Sequence, residues 1–261
     1  MIKTLANKLM RSLSIFSLSR FLLIRIYPFF RENNEYIASS ENIIHDTDKI
    51  FSELLESGYS SNIKIPNQIL KDIIEYSKLS KYKGQFGGKK YLINYENPSN
   101  PGNDIWYGNY SLLKECDSVK KLVYNKDVLK ICESYLGSKF KLISCHSWWS
   151  FPPLNNKSNH QYGYHYDIDS PKFLKIFIYL TDVDLDSGPH VIVPGTHKRK
   201  SIKEKFNRRL NDSQIESNKN YNDPIIKIGP KGSMFFEDTF AYHKGTTPVK
   251  PRLIMQAEFS I

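Results

Sequence analysis

The feature that most constrains this chain is a change of pattern after Lys139. From there to the end, short runs rich in β-branched and aromatic residues follow one another: KLISCHSWWSF (141–151), YGYHYDID (162–169), KFLKIFIYLTDV (172–183), HVIVPG (190–195), PIIKIG (224–229), GSMFFED (232–238), the stretch around Tyr242, and RLIMQAEFSI (252–261). Turn residues punctuate them at Pro152-Pro153, Ser187-Gly188-Pro189, Pro194-Gly195, Gly229-Pro230 and Pro248. Such runs predict strands, and many closely spaced strands predict a sandwich or jelly roll.

The first half reads differently. Thr47-Asp48 before KIFSELLES gives an N-cap and a helical apolar period, and Pro66-Asn67 before QILKDIIEYSKL gives another. Asn125-Lys126 before DVLKICESYL gives a third helix, closed by Gly137. Residues 82–110 mix Gly, Pro, Asn and Tyr and predict loops with short strands. The fold class is therefore mainly β with flanking helices. One domain over 1–261 is expected, with a mostly helical part at 1–138 and a β core at 139–261. Residues 198–222 break the strand series; seven of the first twelve are basic, which marks a surface insertion or lid.

Charge narrows the partners. There are 37 Lys and Arg against 27 Asp and Glu, a formal charge of +10, which points to an anionic partner (phosphorylated small molecule, nucleic acid or acidic membrane) without choosing among them, with a plain bias of composition as the other reading. A nucleic-acid reader is not expected, because the basic 198–209 run has only Phe206 as an interleaved aromatic. Cys116, Cys132 and Cys145 are odd in number and fit no zinc or disulfide spacing, so a reducing, cytoplasmic location is expected. Cys145, within an apolar run, reads as core filler.

The first 31 residues hold Lys3, Lys8, Arg11, Arg20, Arg25 and Arg31 and no acid. Arg20, Arg25 and Pro28 interrupt the apolar stretch, so it is a poor membrane span and lacks a leader's cleavage site. Two readings stay open: an ordinary first helix packed on the domain, or a basic amphipathic helix in peripheral contact with an anionic membrane.

The chemistry begins at His165-Tyr166-Asp167. Residues i and i+2 of a strand share a face, so this segment offers an imidazole and a carboxylate side by side. Two histidines and one carboxylate with open positions suit non-haem iron(II). His-x-Asp alone is weak, because a strand-end histidine bonded to a nearby carboxylate gives the same pattern. A second histidine, His243, follows a Gly-led apolar strand, and Arg252 opens the last strand, where a guanidinium could grip a carboxylate bidentately.

In that order, HYD, IYLTDVDLDSGPHVIVPGTHK, GSMFFEDTFAYHKG and KPRLIM resemble the phytanoyl-CoA dioxygenase family of 2-oxoglutarate oxygenases, over roughly residues 140–261. The resemblance implies a double-stranded β-helix of the cupin-like jelly-roll type. It also implies Fe(II) held by His165, Asp167 and His243, with Arg252 on the distal carboxylate of 2-oxoglutarate. Turnover with O₂ would hydroxylate a small molecule and release succinate and CO₂. Many members carry a serine two residues after the distal histidine; here that position is Gly245, with Thr246 and Thr247 next, and Thr246 is the expected substitute. Asp167 argues against the halogenating members, in which the carboxylate is replaced.

Lys175 and Tyr179 share a face of their strand and are candidate contacts for co-substrate or substrate. His190, His146, Trp148 and Trp149 could reach the site, with structural roles as the plainer reading; His45 and His197 are expected to be solvated. Two other classes stay open: a cupin-type metalloprotein that does not use 2-oxoglutarate, and a catalytically silent binding module.

Overall fold

The structure is a computed structural model that describes Met10 and residues 12–26, 39–153 and 163–261. In chain order the first half gives α1 (Ser17–Ile26), α2 (Thr47–Ser57), β1 (Ile63–Lys64), α3 (Asn67–Leu79), β2 (Lys81–Gly84), β3 (Gly87–Leu92), β4 (Trp106–Asn109), α4 (Leu112–Glu115), α5 (Asp117–Val123) and α6 (Lys126–Leu136). The second half gives β5 (Lys141–Ser150), β6 (Tyr164–His165), β7 (Phe173–Tyr179), β8 (His190–Ile192), α7 (Ile202–Phe206), β9 (Arg209–Leu210), α8 (Asp212–Glu216), β10 (Ile225–Lys227), β11 (Ser233–Glu237), β12 (His243–Gly245) and β13 (Arg252–Ser260).

Local chemistry sets the helix ends. The cap of α2 is Asp46, one residue before the expected Thr47-Asp48; its carboxylate accepts from the Lys49 N–H at 2.8 Å. The Asn125 side chain caps α6 by accepting from the Asp127 N–H, and Gly137 closes it at φ 100°, where a side chain would be strained. Such caps typically contribute about 1 kcal/mol each.

Among the described residues the strands pair antiparallel, in two sheets: β1-β11-β7-β13-β5-β4-β2-β3 and β10-β8-β12-β6-β9. Four strands of each, β11-β7-β13-β5 and β10-β8-β12-β6, make the double-stranded β-helix. Residues 82–110 supply most of β2, with β3 and β4, and extend the larger sheet at one edge. Within 198–222, β9 pairs with β6 and buries Leu210, while α8 buries Ile215. The stretch expected as a surface insertion or lid thus adds an edge strand to the smaller sheet.

β7 explains how the layers fit. All seven of its residues are buried. Leu174, Ile176 and Ile178 join a core with the helices, including Leu54, Ile73, Val128 and Ile131. Phe177 and Tyr179 turn the other way and pack with Phe235, Ile192 and Ile254 between the sheets. Burying each such side chain contributes roughly 1.5–3 kcal/mol, so the helical layer locks the outer face of the sheet while the inner face is left for chemistry.

At the amino terminus, α1 is held by Arg20. Its Nε donates to the Pro171 carbonyl at 2.6 Å and its guanidinium lies 3.7 Å from the centre of the Phe240 ring. Residues 1–9, 11 and 27–38, on which much of the expected basic segment falls, lie outside the described residues, as does Tyr162 of the second expected strand. No described helix is long and apolar enough to cross a membrane.

One expectation is corrected. His45 is exposed, but His197 is buried at 7% exposure. It packs against Gly58, where a Cβ would lie 2.6 Å from the imidazole Nδ1, so the missing side chain of one residue makes the niche for the other.

Candidate metal centre and co-substrate pocket

A cavity of about 320 Å³ opens between the two sheets. One wall, from β4, β5, β7 and β13, carries Trp106, His146, Trp148, Ser150, Phe177, Arg252 and Gln256. The other wall brings in His165, Asp167, His190, Arg209, His243 and Gly245.

Strand pairing builds the centre. His165 of β6 stands directly opposite His243 of β12, with ring centroids 4.4 Å apart. Asp167 follows two residues after His165, its N–H bound to the Thr239 carbonyl at 2.8 Å. One ligand atom from each of His165, Asp167 and His243 lies within 4.8 Å of the others, a spacing that could hold one metal ion.

The tautomers suit that use. His165 Nδ1 is 3.0 Å from the Gly163 carbonyl and His243 Nδ1 is 3.0 Å from the Ala241 carbonyl. A carbonyl only accepts, so each Nδ1 carries a proton, which leaves Nε2 as the nitrogen of each ring that could bind a metal. Burial, reinforced by His165, lowers the His243 pKa to about 4, so this imidazole is neutral at physiological pH. Two imidazole nitrogens and one carboxylate are a donor set that divalent iron accepts.

Asp167 is kept ionised by its neighbours. Burial opposes the charge, but the Lys175 ammonium, by its charge and its hydrogen bond, outweighs it and holds the carboxyl well below its usual range. The Lys175 ammonium sits 2.7 Å from Asp167 Oδ2, 2.9 Å from Asp169 Oδ2 and 3.8 Å from Glu258 Oε2. Burial would discharge Lys175, and these carboxylates reverse that, holding it above the ordinary lysine value. Burial pushes Glu258 the other way, up to about 7.

Beneath the histidines lies Glu237, wholly buried, its Oε2 2.7 Å from His190 Nε2 but out of hydrogen-bond alignment. Burial raises its pKa to about 7. His190, paired with Gly245 across β8 and β12, lines the cavity and stacks on His243 at 5.3 Å. At the same end Arg252, 7% exposed, donates from Nη1 to the Gly188 carbonyl. A Cβ built on Gly245 would be 3.9 Å from Arg252 Nη2.

The other sequence candidates are placed elsewhere. Lys175 reaches Asp167 instead of the cavity wall. The Tyr179 hydroxyl donates to the Lys227 carbonyl at 2.6 Å, and the Thr246 hydroxyl donates to the Pro189 carbonyl at 3.1 Å; neither residue lines the cavity. Trp149 and the three cysteines are buried away from it. Trp106, Ser150, Phe177, Arg209 and Gln256 escaped the sequence reading. Alternation along β13 puts Arg252, Ile254 and Gln256 on one face and could have found Gln256.

The sequence model of the family described as Phytanoyl-CoA dioxygenase (PhyH) matches residues 108–247, more than half of the 261. The chain belongs to the phytanoyl-CoA dioxygenase family. No curated protein matches it in sequence. Among solved structures, it resembles the non-heme alpha ketoglutarate dependent epimerase SnoN from nogalamycin biosynthesis, with 12% identity over 82% of this chain and 80% of that one, at a TM-score of 0.58. HygX from Streptomyces hygroscopicus, solved with nickel and 2-oxoglutarate bound, is 12% identical over 82% of this chain and 86% of its own, with a TM-score of 0.53. The carbocyclase SnoK is 12% identical over 85% and 87%, also at 0.53. These likenesses establish the shared family fold. SnoN is an epimerase and SnoK a carbocyclase, two different reactions on that fold.

Proposed function

We propose that the chain is an Fe(II)- and 2-oxoglutarate-dependent dioxygenase that hydroxylates a small organic molecule, with His165, Asp167 and His243 as the metal ligands. Membership of the family makes Fe(II) and 2-oxoglutarate its cofactor pair. The observation that carries the ligand assignment is the convergence of two imidazoles, each tethered through Nδ1, and one carboxylate in a single cavity that also holds a buried guanidinium. SnoN and HygX have been solved with a metal and 2-oxoglutarate bound, which supports the same use here.

When bound, the iron supplies the activation of O₂ that C–H oxidation requires, with the balance 2-oxoglutarate + O₂ + R–H giving succinate + CO₂ + R–OH. The chain's own part is orientation. The Gly163 and Ala241 carbonyls stop the two imidazoles from turning, and Lys175 fixes the Asp167 carboxylate. Arg252 grips the distal carboxylate of the co-substrate. Phe177, Trp148 and Trp106 line the cavity with apolar surface and limit water.

Substrate and O₂ enter from the open side of the cavity. Peripheral contact with an anionic membrane through the first helix belongs to the same proposal, because α1 exposes Leu18, Phe21, Leu22 and Ile26 with Arg25 beside them. A reducing, cytoplasmic location is proposed on the three buried free cysteines.

Anaerobic titration of the purified protein with iron(II) and 2-oxoglutarate tests the reading. The weak visible charge-transfer band of the chelate is expected in the wild type and absent in His243→Ala. Bound iron with no band on adding 2-oxoglutarate would sink it and favour a cupin-type metalloprotein using other chemistry.

A further inference from the structure

The cavity holds a second guanidinium, which the proposed centre does not use. Arg209 is opposite His165 in the β6–β9 pairing, and directly opposed residues of an antiparallel pair project to the same face. It therefore points between the sheets with His165, and it lines the cavity while staying exposed. Arg252, by contrast, is buried. One guanidinium is at the closed end and the other at the mouth.

Facing it is an aromatic wall. Trp106 pairs with Ser150 across β4 and β5, and Ser150, Trp148 and His146 alternate along β5, so all four share the inner face. The His146 ring lies between its neighbours, 5.3 Å from Trp148 and stacked at 5.3 Å on Tyr110. Burial lowers the His146 pKa to about 4, so the wall is uncharged around neutral pH.

Topology puts the two features at the same side. Across the larger sheet the order runs β7, β13, β5, β4; across the smaller it runs β8, β12, β6, β9. His190 and Phe177 lie on the first strand of each series, while Trp106 and Arg209 lie on the last. A molecule entering past Trp106 and Arg209 reaches the His165–Asp167–His243 group before the Arg252 end.

From this we infer that the substrate of the proposed oxygenase is an amphipathic anion: a flat or apolar carbon body laid on Trp106, Trp148 and His146, with a carboxylate, sulfate or phosphate held by Arg209 at the mouth. The inference rests on the iron and 2-oxoglutarate reading for the position of the reacting centre. It assigns the two guanidinium groups by burial. The enclosed Arg252 takes the constant co-substrate, and the exposed Arg209 selects the substrate. A planar guanidinium matches an oxyanion in two-point geometry, and apolar contact with aromatic faces tolerates many carbon skeletons, so Arg209 sets charge selectivity more than shape.

The test uses full-length protein loaded anaerobically with iron(II) and saturating 2-oxoglutarate, and two probes of equal shape: 2-naphthoate and the neutral 2-naphthamide. Binding is read by tryptophan fluorescence and by perturbation of the chelate band, which reports occupancy next to the metal. Wild type is expected to prefer naphthoate by at least roughly tenfold, the size of one charge-assisted contact. Arg209→Gln should erase that preference while naphthamide affinity stays within about twofold, and Trp148→Ala should weaken both probes. Equal affinity for the two probes in wild type, an unchanged preference in Arg209→Gln, or no binding of either would overturn the inference. Failure of the parent reading is separately visible, because the chelate band would then be missing before any probe is added.

Discussion

The Lys175 ammonium lies 2.7 Å from Asp167 Oδ2, deep in a strand that is buried on both faces. A lysine there is tolerable only because three carboxylates surround it, and the proposed ligand Asp167 is held still by a residue that does not line the cavity.

Removing that ammonium leaves Asp167, Asp169 and Glu258 facing one another. Lys175→Met should destabilise the metal-free protein by about 3–5 kcal/mol, the usual cost of stranding a buried charge. Thermal unfolding should show this as a drop on the order of 10 °C. A divalent metal ion should restore part of the loss, because it supplies positive charge beside Asp167. A variant as stable as wild type would mean that the cluster protonates without consequence.

Arg252→Ala separates the co-substrate from the metal. Loss of a charge-assisted contact of about 1.5–3 kcal/mol predicts roughly 10- to 100-fold more 2-oxoglutarate for half-saturation, with iron affinity little changed. Equilibrium titration of the chelate band at fixed iron measures the first, and metal competition measures the second. Equal weakening of both would argue that Arg252 supports the fold of the centre as a whole.

Gly245 offers a gain-of-function version. Its φ is not in the positive range, and an added Cβ would meet Arg252 Nη2 at an ordinary 3.9 Å. Gly245→Ser would therefore place a hydroxyl beside the guanidinium without strain. About 1 kcal/mol from one new hydrogen bond corresponds to roughly fivefold tighter 2-oxoglutarate. Weaker binding would show that the co-substrate needs this space empty.

Lys200 provides a pH test away from the centre. It donates to the Thr196 carbonyl at 2.5 Å and to that of Phe240, among the rings of Tyr166, Phe240 and Tyr242. Burial, only partly offset by Asp238, depresses its pKa well below 10.5. The unfolded chain then binds a proton that the folded one has released, between the depressed value and 10.5, so this residue makes stability rise with pH across that window. Lys200→Met should remove the rise, giving a variant-minus-wild-type stability that falls as pH increases. Urea unfolding at several pH values measures it, and parallel curves would refute the assignment.

The sequence made the chemistry legible where it is local. His165 and Asp167 are two residues apart, and the strands that follow Lys139 announce themselves by composition. What stayed hidden depends on pairing between distant segments. The shared face of Lys175 and Tyr179 was readable, but which tip meets Asp167 and which meets the Lys227 carbonyl is decided by neighbouring strands and loops. Arg209 sits in a stretch whose charge suggests a solvated excursion, and only its pairing opposite His165 brings it into the cavity. His197 looked like a surface residue because nothing in its own vicinity reveals that Gly58, far earlier in the chain, leaves a niche for it.

The two imidazoles are each tethered to a carbonyl two residues back in their own segment, and they meet through a single cross-strand pair. Each ring's orientation is thus set within its own segment, and the two imidazoles come together only where β12 closes against β6. A slip of one residue in that pairing would swing one imidazole to the far side of the sheet. The capacity to hold metal is in this sense a gauge of whether the barrel has shut in register, and during refolding it should return with that closure even if the helical layer forms earlier.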